Sequence, residues 1–274
     1  MTTKSISKRT IIEYSDEVTY VERIPRPIVA VALDYPGNHR IPAHIHQSAQ
    51  LLYASAGVMT VTTKKGIWVV PPQRAVWVPM RMEHKILTCG RLSMRTLYIK
   101  GDCVADLPKE CRVVTVSRLL RELILHAISL PRLYDLKGAD ARIMSVILDQ
   151  IHSLPVVAPL DLRIPRDPRL SKIYRALVDN PADNRSLEDW GRKVGACGRT
   201  LTRIFRAETN MSFRQWRRQF RILEALKRLG RKEPVTNVAL DLGYDSPSAF
   251  ICMFKKALGR TPGQYFKSNL NNDT

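Results

Sequence analysis

The chain has 274 residues, 45% of them hydrophobic, which is enough to pack cores in about two domains of roughly 150 residues and excludes wholesale disorder. Forty-four Lys and Arg against twenty-five Asp and Glu give a net charge of +19 and point to a polyanionic partner, while no apolar run approaches the ~18 residues of a membrane-spanning helix. Five cysteines, odd in number and never spaced CxxC, and a polar N-terminus argue against a disulfide framework, a cysteine zinc site and a signal peptide, so a reduced, cytoplasmic chain with no membrane partner is expected.

The first hundred residues read as β. Segments 50–53, 57–63, 66–70, 75–79 and 93–99 are short, rich in Val, Thr, Trp and Tyr, and broken by Gly, Pro and Lys-Lys, the pattern of an antiparallel sandwich or barrel. Helical periodicity begins at Ser117, which can cap a helix with Leu120, Leu123, Ile124, Ala127 and Ile128 on one stripe; Pro131 stops it. A second helix is predicted over 139–154, with Ile143, Val146, Ile147, Ile151 and Leu154 on one face. Such a pair can cover the sheet or join a second chain, since both need an apolar stripe. Residues 155–168 carry four prolines in fourteen and read as an extended linker.

Beyond it the pattern is helical and the charge denser. Residues 166–274 hold 22 basic and 11 acidic residues, a net of +11, against +8 over the first 165. Asp167-Pro168 offers an N-cap and a proline at the first helical position, with Leu170, Ile173 and Leu177 inward. Ser186 and Asp189 have capping-box spacing for a helix over 187–194, which Gly195 breaks. In the next helix, 198–208, Leu201, Ile204 and Phe205 face inward, which turns Arg199, Thr202, Arg203 and Arg206 outward: the helix-turn-helix plan. A long helix from Ser212 to Leu229 buries Phe213, Trp216, Phe220, Leu223 and Leu226 and leaves Arg214, Arg217, Arg218 and Arg221 solvated. The plan then repeats, first with Val235, Val238, Ala239 and Leu242 inward, then with a helix capped at Ser246-Pro247 that buries Phe250, Phe254 and Leu258. Two such units on one rigid helix can enter successive major-groove segments of duplex DNA.

Arg199-x-Leu201-x-Arg203-x-Phe205, preceded by Leu187, and LGYDSPSAFICMFKKALGRTPGQYF from Leu242 to Phe266 resemble the AraC/XylS family of bacterial transcription regulators over about the last hundred residues. The chain departs from the family pattern at Gly198, usually a serine cap, at Asn210, usually glycine, and at Cys252, frequently arginine. The resemblance implies base contacts from Arg199, Thr202 and Arg203, with Arg206 beside them. In the second unit the matching outward positions are Pro247, Ser248 and Cys252, a poor set of donors. With Ser246, Lys255 and Lys256 they are expected mainly to hold phosphate. It further implies homodimers on paired half-sites.

The stretch from Gly37 through His44, His46 and Gln50 to Gly57, and Pro79 to His84, resemble the two cupin motifs. In metal-binding cupins three histidines and a glutamate hold a divalent ion inside the barrel. Here Gln50 stands for the glutamate. His44, His46 and His84 could still hold zinc or nickel, but the favoured reading is a vestigial site that hydrogen-bonds or contacts an effector. Trp68, Trp77, Tyr53 and Tyr98 are expected in the core, some at the barrel mouth, and Arg74, Arg81 and Arg95 on a solvated face or on a carboxylate effector.

The expected architecture is α+β and multidomain: a cupin-like β-barrel sensor (1–115), a helical hairpin for dimerisation (116–154), a proline-rich linker (155–166) and an all-α double helix-turn-helix domain (167–270). The expected function is a one-component transcription regulator that binds double-stranded DNA, answers a small-molecule effector and acts on neighbouring genes, as repressor more than activator. The rivals are a metal-dependent cupin enzyme, which Gln50 disfavours, and an architectural DNA-coating protein, which would not explain a barrel.

Overall fold

The computed structural model describes residues 14–104, 106–155 and 160–267; the outer ends of the expected first and last domains, and 156–159 of the expected linker, lie outside the described residues. A helix, α1 (Tyr14–Arg23), leads into β1 (Ile28–Tyr35), β2 (Arg40–His44), β3 (Ala49–Thr62), β4 (Gly66–Val70), β5 (Arg74–Val78), β6 (His84–Ile99) and β7 (Arg112–Thr115). β3 and β6, of 14 and 16 residues, pair with each other along their lengths, and every strand pair is antiparallel. Each long strand carries two further neighbours, one per half: β5 and β4 on β3, β1 and β2 on β6.

The segments expected at 50–53 and 57–63 are therefore one strand. The register of β3 on β6 shifts on either side of Ala56, next to Gly57 at φ +83°. A Cβ on Gly57 would lie 2.1 Å from the Arg91 carbonyl oxygen, so only glycine lets the two strands bend here and serve both halves of the barrel. The sequence reading took this glycine as a break because it ends the alternation. β1 and β2 were not among the expected segments.

Alternation sorts the side chains at the β1/β5 end. Ile28, Ala49, Leu51, Tyr53, Ala75, Trp77, Leu97 and Ile99 join an outer cluster, while Val29, Leu52, Val76, Met94 and Tyr98 face the other way. The outer cluster is closed by α2 (Arg118–Ser129) and α3 (Ala139–His152), so this pair covers the sheet. Ser117 caps α2 by accepting from the Leu120 N–H, as expected. On α3 it is Met144, Ile147 and Ile151 that are buried; Val146, expected on that face, is exposed, because the stripe runs one residue later.

The expected linker is no free tether. Its Asp161–Arg163 forms β8, paired with β4 through Gly66, Ile67 and Trp68. This described part is extended, and its Leu160 and Leu162 are buried. After it come α4 (Pro168–Asp179), α5 (Leu187–Val194), α6 (Gly198–Thr209), α7 (Phe213–Gly230), α8 (Val235–Asp241), α9 (Pro247–Leu258) and α10 (Pro262–Lys267).

The helical half and the barrel share one core. The Trp216 indole N–H donates to the Arg163 carbonyl at 3.0 Å and the Gln219 amide to the Asp161 carbonyl at 2.6 Å, so α7 holds the free edge of β8. Glu208 of α6 accepts from the backbone N–H groups of Arg166 and Asp167. At the far end of α7, Gly230 meets Gly90 of β6. A Cβ on Gly90 would stand 2.5 Å from the Gly230 oxygen, and one on Gly230 would stand 2.5 Å from Val58 Cγ2.

Candidate DNA-reading face and sensor site

The local chemistry that positions α5 and α6 is legible. Ser186 accepts from the Asp189 N–H while Asp189 accepts from the Ser186 N–H, a complete capping box, and Gly195 closes the helix in the left-handed region. On α6, Leu201 and Phe205 are buried and Ile204 half-buried, so Arg199, Thr202, Arg203 and Arg206 stand exposed along one shallow concave surface with Gly198 and Ala207. The N-cap is Cys197, which gives no side-chain cap; Gly198 follows it as the first helical residue, and a Cβ there would lie 2.8 Å from Glu188 Oε1. Asn210, at φ +58°, ends α6 where the family prefers glycine; asparagine is the residue that best tolerates that region after glycine.

α9 repeats the pattern. Ser246 accepts from the Ala249 N–H, Pro247 occupies the first turn, and Phe250 and Phe254 are buried. Ser248, Cys252, Lys255 and Lys256 are exposed and Pro247 half-buried.

The connecting rod differs from expectation. Arg214 and Arg218 are exposed, but Arg217 is half-buried and Arg221 is 8% exposed. Arg221 donates to the Pro181 carbonyl at 2.9 Å and the Asn184 side-chain oxygen at 3.0 Å, and Arg217 to the Arg185 carbonyl at 2.8 Å. The Arg221 guanidinium also lies 5.8 Å from the Tyr244 ring centroid, just before α9. It therefore joins the loop ahead of the first unit to the second. The correction has a physical reason: α7 packs against the barrel as well as both helical units, so it lacks the single solvated face assumed for it. A polar loop that needs guanidinium donors is the only trace in sequence, and it is faint.

In the barrel, His44, His46 and His84 come together, their ligand nitrogens all within 4.8 Å of one another. The Nδ1–H of His44 donates to the Pro42 carbonyl at 2.9 Å, that of His46 to Ser48 at 2.6 Å and that of His84 to Met82 at 2.8 Å. A carbonyl can only accept, so each ring has a proton on Nδ1, while His46 Nε2 lies 3.0 Å from the Gln50 side-chain oxygen. Burial, then the neighbouring His44, pushes His84 down to about 3, and burial lowers His44, so both are neutral at physiological pH. His84 Nε2 is buried with no hydrogen-bond partner among the described residues. Three imidazoles oriented through backbone carbonyls are a donor set of the kind that suits zinc or nickel, as the sequence allowed. Gln50 is fully buried beside them, its amide 3.0 Å from His46 Nε2 on one side and 2.9 Å from Thr96 Oγ1 on the other.

Two contacts were missed. Glu22 of α1 accepts from the backbone N–H groups of Gln47 and Ser48, and the Arg81 guanidinium donates to Gln47 Oε1 at 2.8 Å, so the His46 loop is clamped from both sides. No spacing signals a carboxylate acting 25 residues away. Arg95 pairs with Asp34 at 3.0 Å, and Arg74 lies half-buried at the start of β5. Trp68, Trp77, Tyr53 and Tyr98 are all buried, with the Tyr98 ring edge-on to His46 at 5.6 Å.

A helix-turn-helix domain model matches residues 190–268, and an AraC-like ligand binding domain model matches residues 27–147. The HTH-type transcriptional regulator NimR of Escherichia coli K12 is 35% identical over 224 residues, which cover 82% of this chain and 81% of that protein. The chain belongs to the AraC family of transcription regulators. Another relative, the regulator RipA of Corynebacterium glutamicum, is 25% identical over 80% of this chain and 62% of its own length. Among solved structures, ToxT of Vibrio cholerae aligns over 88% of this chain and 98% of its own at 11% identity and a TM-score of 0.38. This AraC-family regulator thus combines a ligand-binding domain on the barrel with a DNA-binding domain on α5 to α10, and no described helix is long and apolar enough to cross a membrane.

Proposed function

We propose that this chain is a one-component regulator that binds paired half-sites on duplex DNA as a homodimer, answers a small effector through the barrel, and represses genes beside its own. The observation that carries the reading is that the outward residues of α6, and with them most of those of α9, stay exposed while the apolar face of α7 is buried between the domains. Arg199, Thr202, Arg203 and Arg206 read bases; Ser246, Pro247, Ser248, Cys252, Lys255 and Lys256 hold phosphate. The domains divide at 1–115, 116–154, 155–166 and 167–270, with Asp161–Arg163 of the connecting segment held in the sheet. Exposed Leu119, Leu133, Leu136 and Val146 on and between α2 and α3 support the helical pair as the seat of a second copy, in addition to its cover of the sheet. The cytoplasm is the compartment this requires.

The test is a binding titration on the duplex upstream of the chain's own gene against a scrambled duplex. With something like 6–10 phosphate contacts, affinity should fall about 10³–10⁵-fold between 50 and 200 mM salt, and the specific complex should outlast the scrambled one throughout. Equal affinity for both duplexes at every salt concentration would overturn sequence reading in favour of unspecific coating.

A further inference from the structure

One carboxylate stands on the arginine-rich surface of α6. The concave face that carries Arg199, Thr202, Arg203 and Arg206 also takes in Glu188, from the first turn of α5. Its neighbour Asp189 closes the capping box, whereas Glu188 is exposed and no hydrogen bond or ion pair among the described residues takes up its carboxylate. Glycine at 198 sets its place. A Cβ there would lie 2.8 Å from Oε1, 3.2 Å from Cδ and 3.3 Å from Cγ of Glu188, so the side chain lies flat across the first residue of α6. The positive end of the helix dipole favours a carboxylate at that spot, and the N-terminal residues of such a helix are those that meet base edges.

We propose that Glu188 is a specificity-determining residue that accepts a hydrogen bond from the N4 amino group of a cytosine in the major groove, and that the bare Gly198 gives its carboxylate the room to do so. The proposal rests on the reading of α6 as a helix that enters DNA. Guanidinium groups only donate, so Arg199, Arg203 and Arg206 match guanine O6 and N7 or phosphate oxygens and cannot recognise an amino group. A carboxylate only accepts, and phosphate repels it. The amino donors of the major groove are cytosine N4 and adenine N6. Adenine sets the N7 lone pair beside its amino group, which suits an amide and disfavours a carboxylate, so cytosine is the match. The guanine paired with that cytosine offers its acceptors to an arginine of the same surface, and one base pair is read from both of its bases.

The full-length protein is first used to select duplexes from a random-sequence pool; the best of them is then titrated with its single-base substitutions and a scrambled duplex. Wild type should lose about 5- to 150-fold at one C·G pair when the cytosine is replaced. Glu188→Ala, with unchanged circular dichroism, should bind the selected duplex and that substituted one alike, with preferences elsewhere intact. Glu188→Gln should move the preference at that position to adenine. Gly198→Ala, which displaces the carboxylate, should flatten the same position and add nothing in a Glu188→Ala background. If Glu188→Ala tightens binding to every duplex equally, scrambled included, and leaves all preferences in place, the carboxylate only repels phosphate and the proposal is overturned. Unchanged preferences in Gly198→Ala overturn the part given to Gly198. A wild type that enriches no sequence overturns the DNA-reading face itself, and the role of Glu188 with it.

Discussion

At the scale of single residues, the two helices proposed to read DNA are unequal. Arg203 stands exposed on α6, one turn beyond Arg199, where a guanidinium can bond guanine through two hydrogens. Cys252, exposed on α9, has only a weak S–H donor. Arg203→Ala should cost roughly 1–3 kcal/mol of specific binding and relax preference at one base pair, with less effect on unspecific binding. Cys252→Ala should be nearly silent, and Cys252→Arg should shift preference at the distal part of the site. Titration of the three variants against single-base substitutions checks the set; equal damage from Arg203→Ala and Cys252→Ala would sink the division of labour. Arg221 acts elsewhere. Truncating it leaves the Pro181 carbonyl and Asn184 oxygen without their donor, so Arg221→Ala should lower stability by about 2–4 kcal/mol in urea unfolding. Arg221→Lys should not restore it, because an ammonium lacks the planar fork.

Elements were legible in proportion to how local their causes are. The Ser117, Asp167, Ser186 and Ser246 caps all fall where the spacing put them, because a cap is decided by the residue and the next few N–H groups. Ser186→Ala should accordingly cost about 1 kcal/mol, measurable as a lower midpoint in denaturant, with Ser186→Gly closer to wild type. What sequence could not supply was non-local. β8 forms because β4 has an open edge and α7 offers an indole and an amide, none of them near 161–163 in the chain. Arg217 and Arg221 looked solvated because a helical wheel knows one partner, and α7 has two. The candidate sensor site was half visible: the three histidines were named from their motif, whereas the carbonyls that fix their protons and the Thr96 hydroxyl behind Gln50 emerged only once the strands were paired.

At the scale of the molecule, the contact of Gly90 with Gly230 makes the two halves interdependent. Adding one methyl at Gly230 places it against the Val58 side chain and near the Cys89 carbonyl, at 2.5 and 3.3 Å. Gly230→Ala should therefore cost about 1–3 kcal/mol despite the better helix propensity of alanine, and should split a single thermal unfolding transition into two. Val58→Ala in the same chain should recover part of the loss by opening the space. A Gly230→Ala variant that unfolds in one transition at the wild-type midpoint would mean that the halves do not bear on each other here.

The strand borrowed from the connecting segment has a bearing on whether the two halves can be taken apart. Two halves come apart most easily where the seam is a tether that belongs to neither side. Here Asp161–Arg163 belongs to both, completing the sheet of one half and covering Trp216 and Gln219 of the other. A cut on either side of it strips a sheet edge or bares a helix. Separating the two halves at this segment should therefore weaken both.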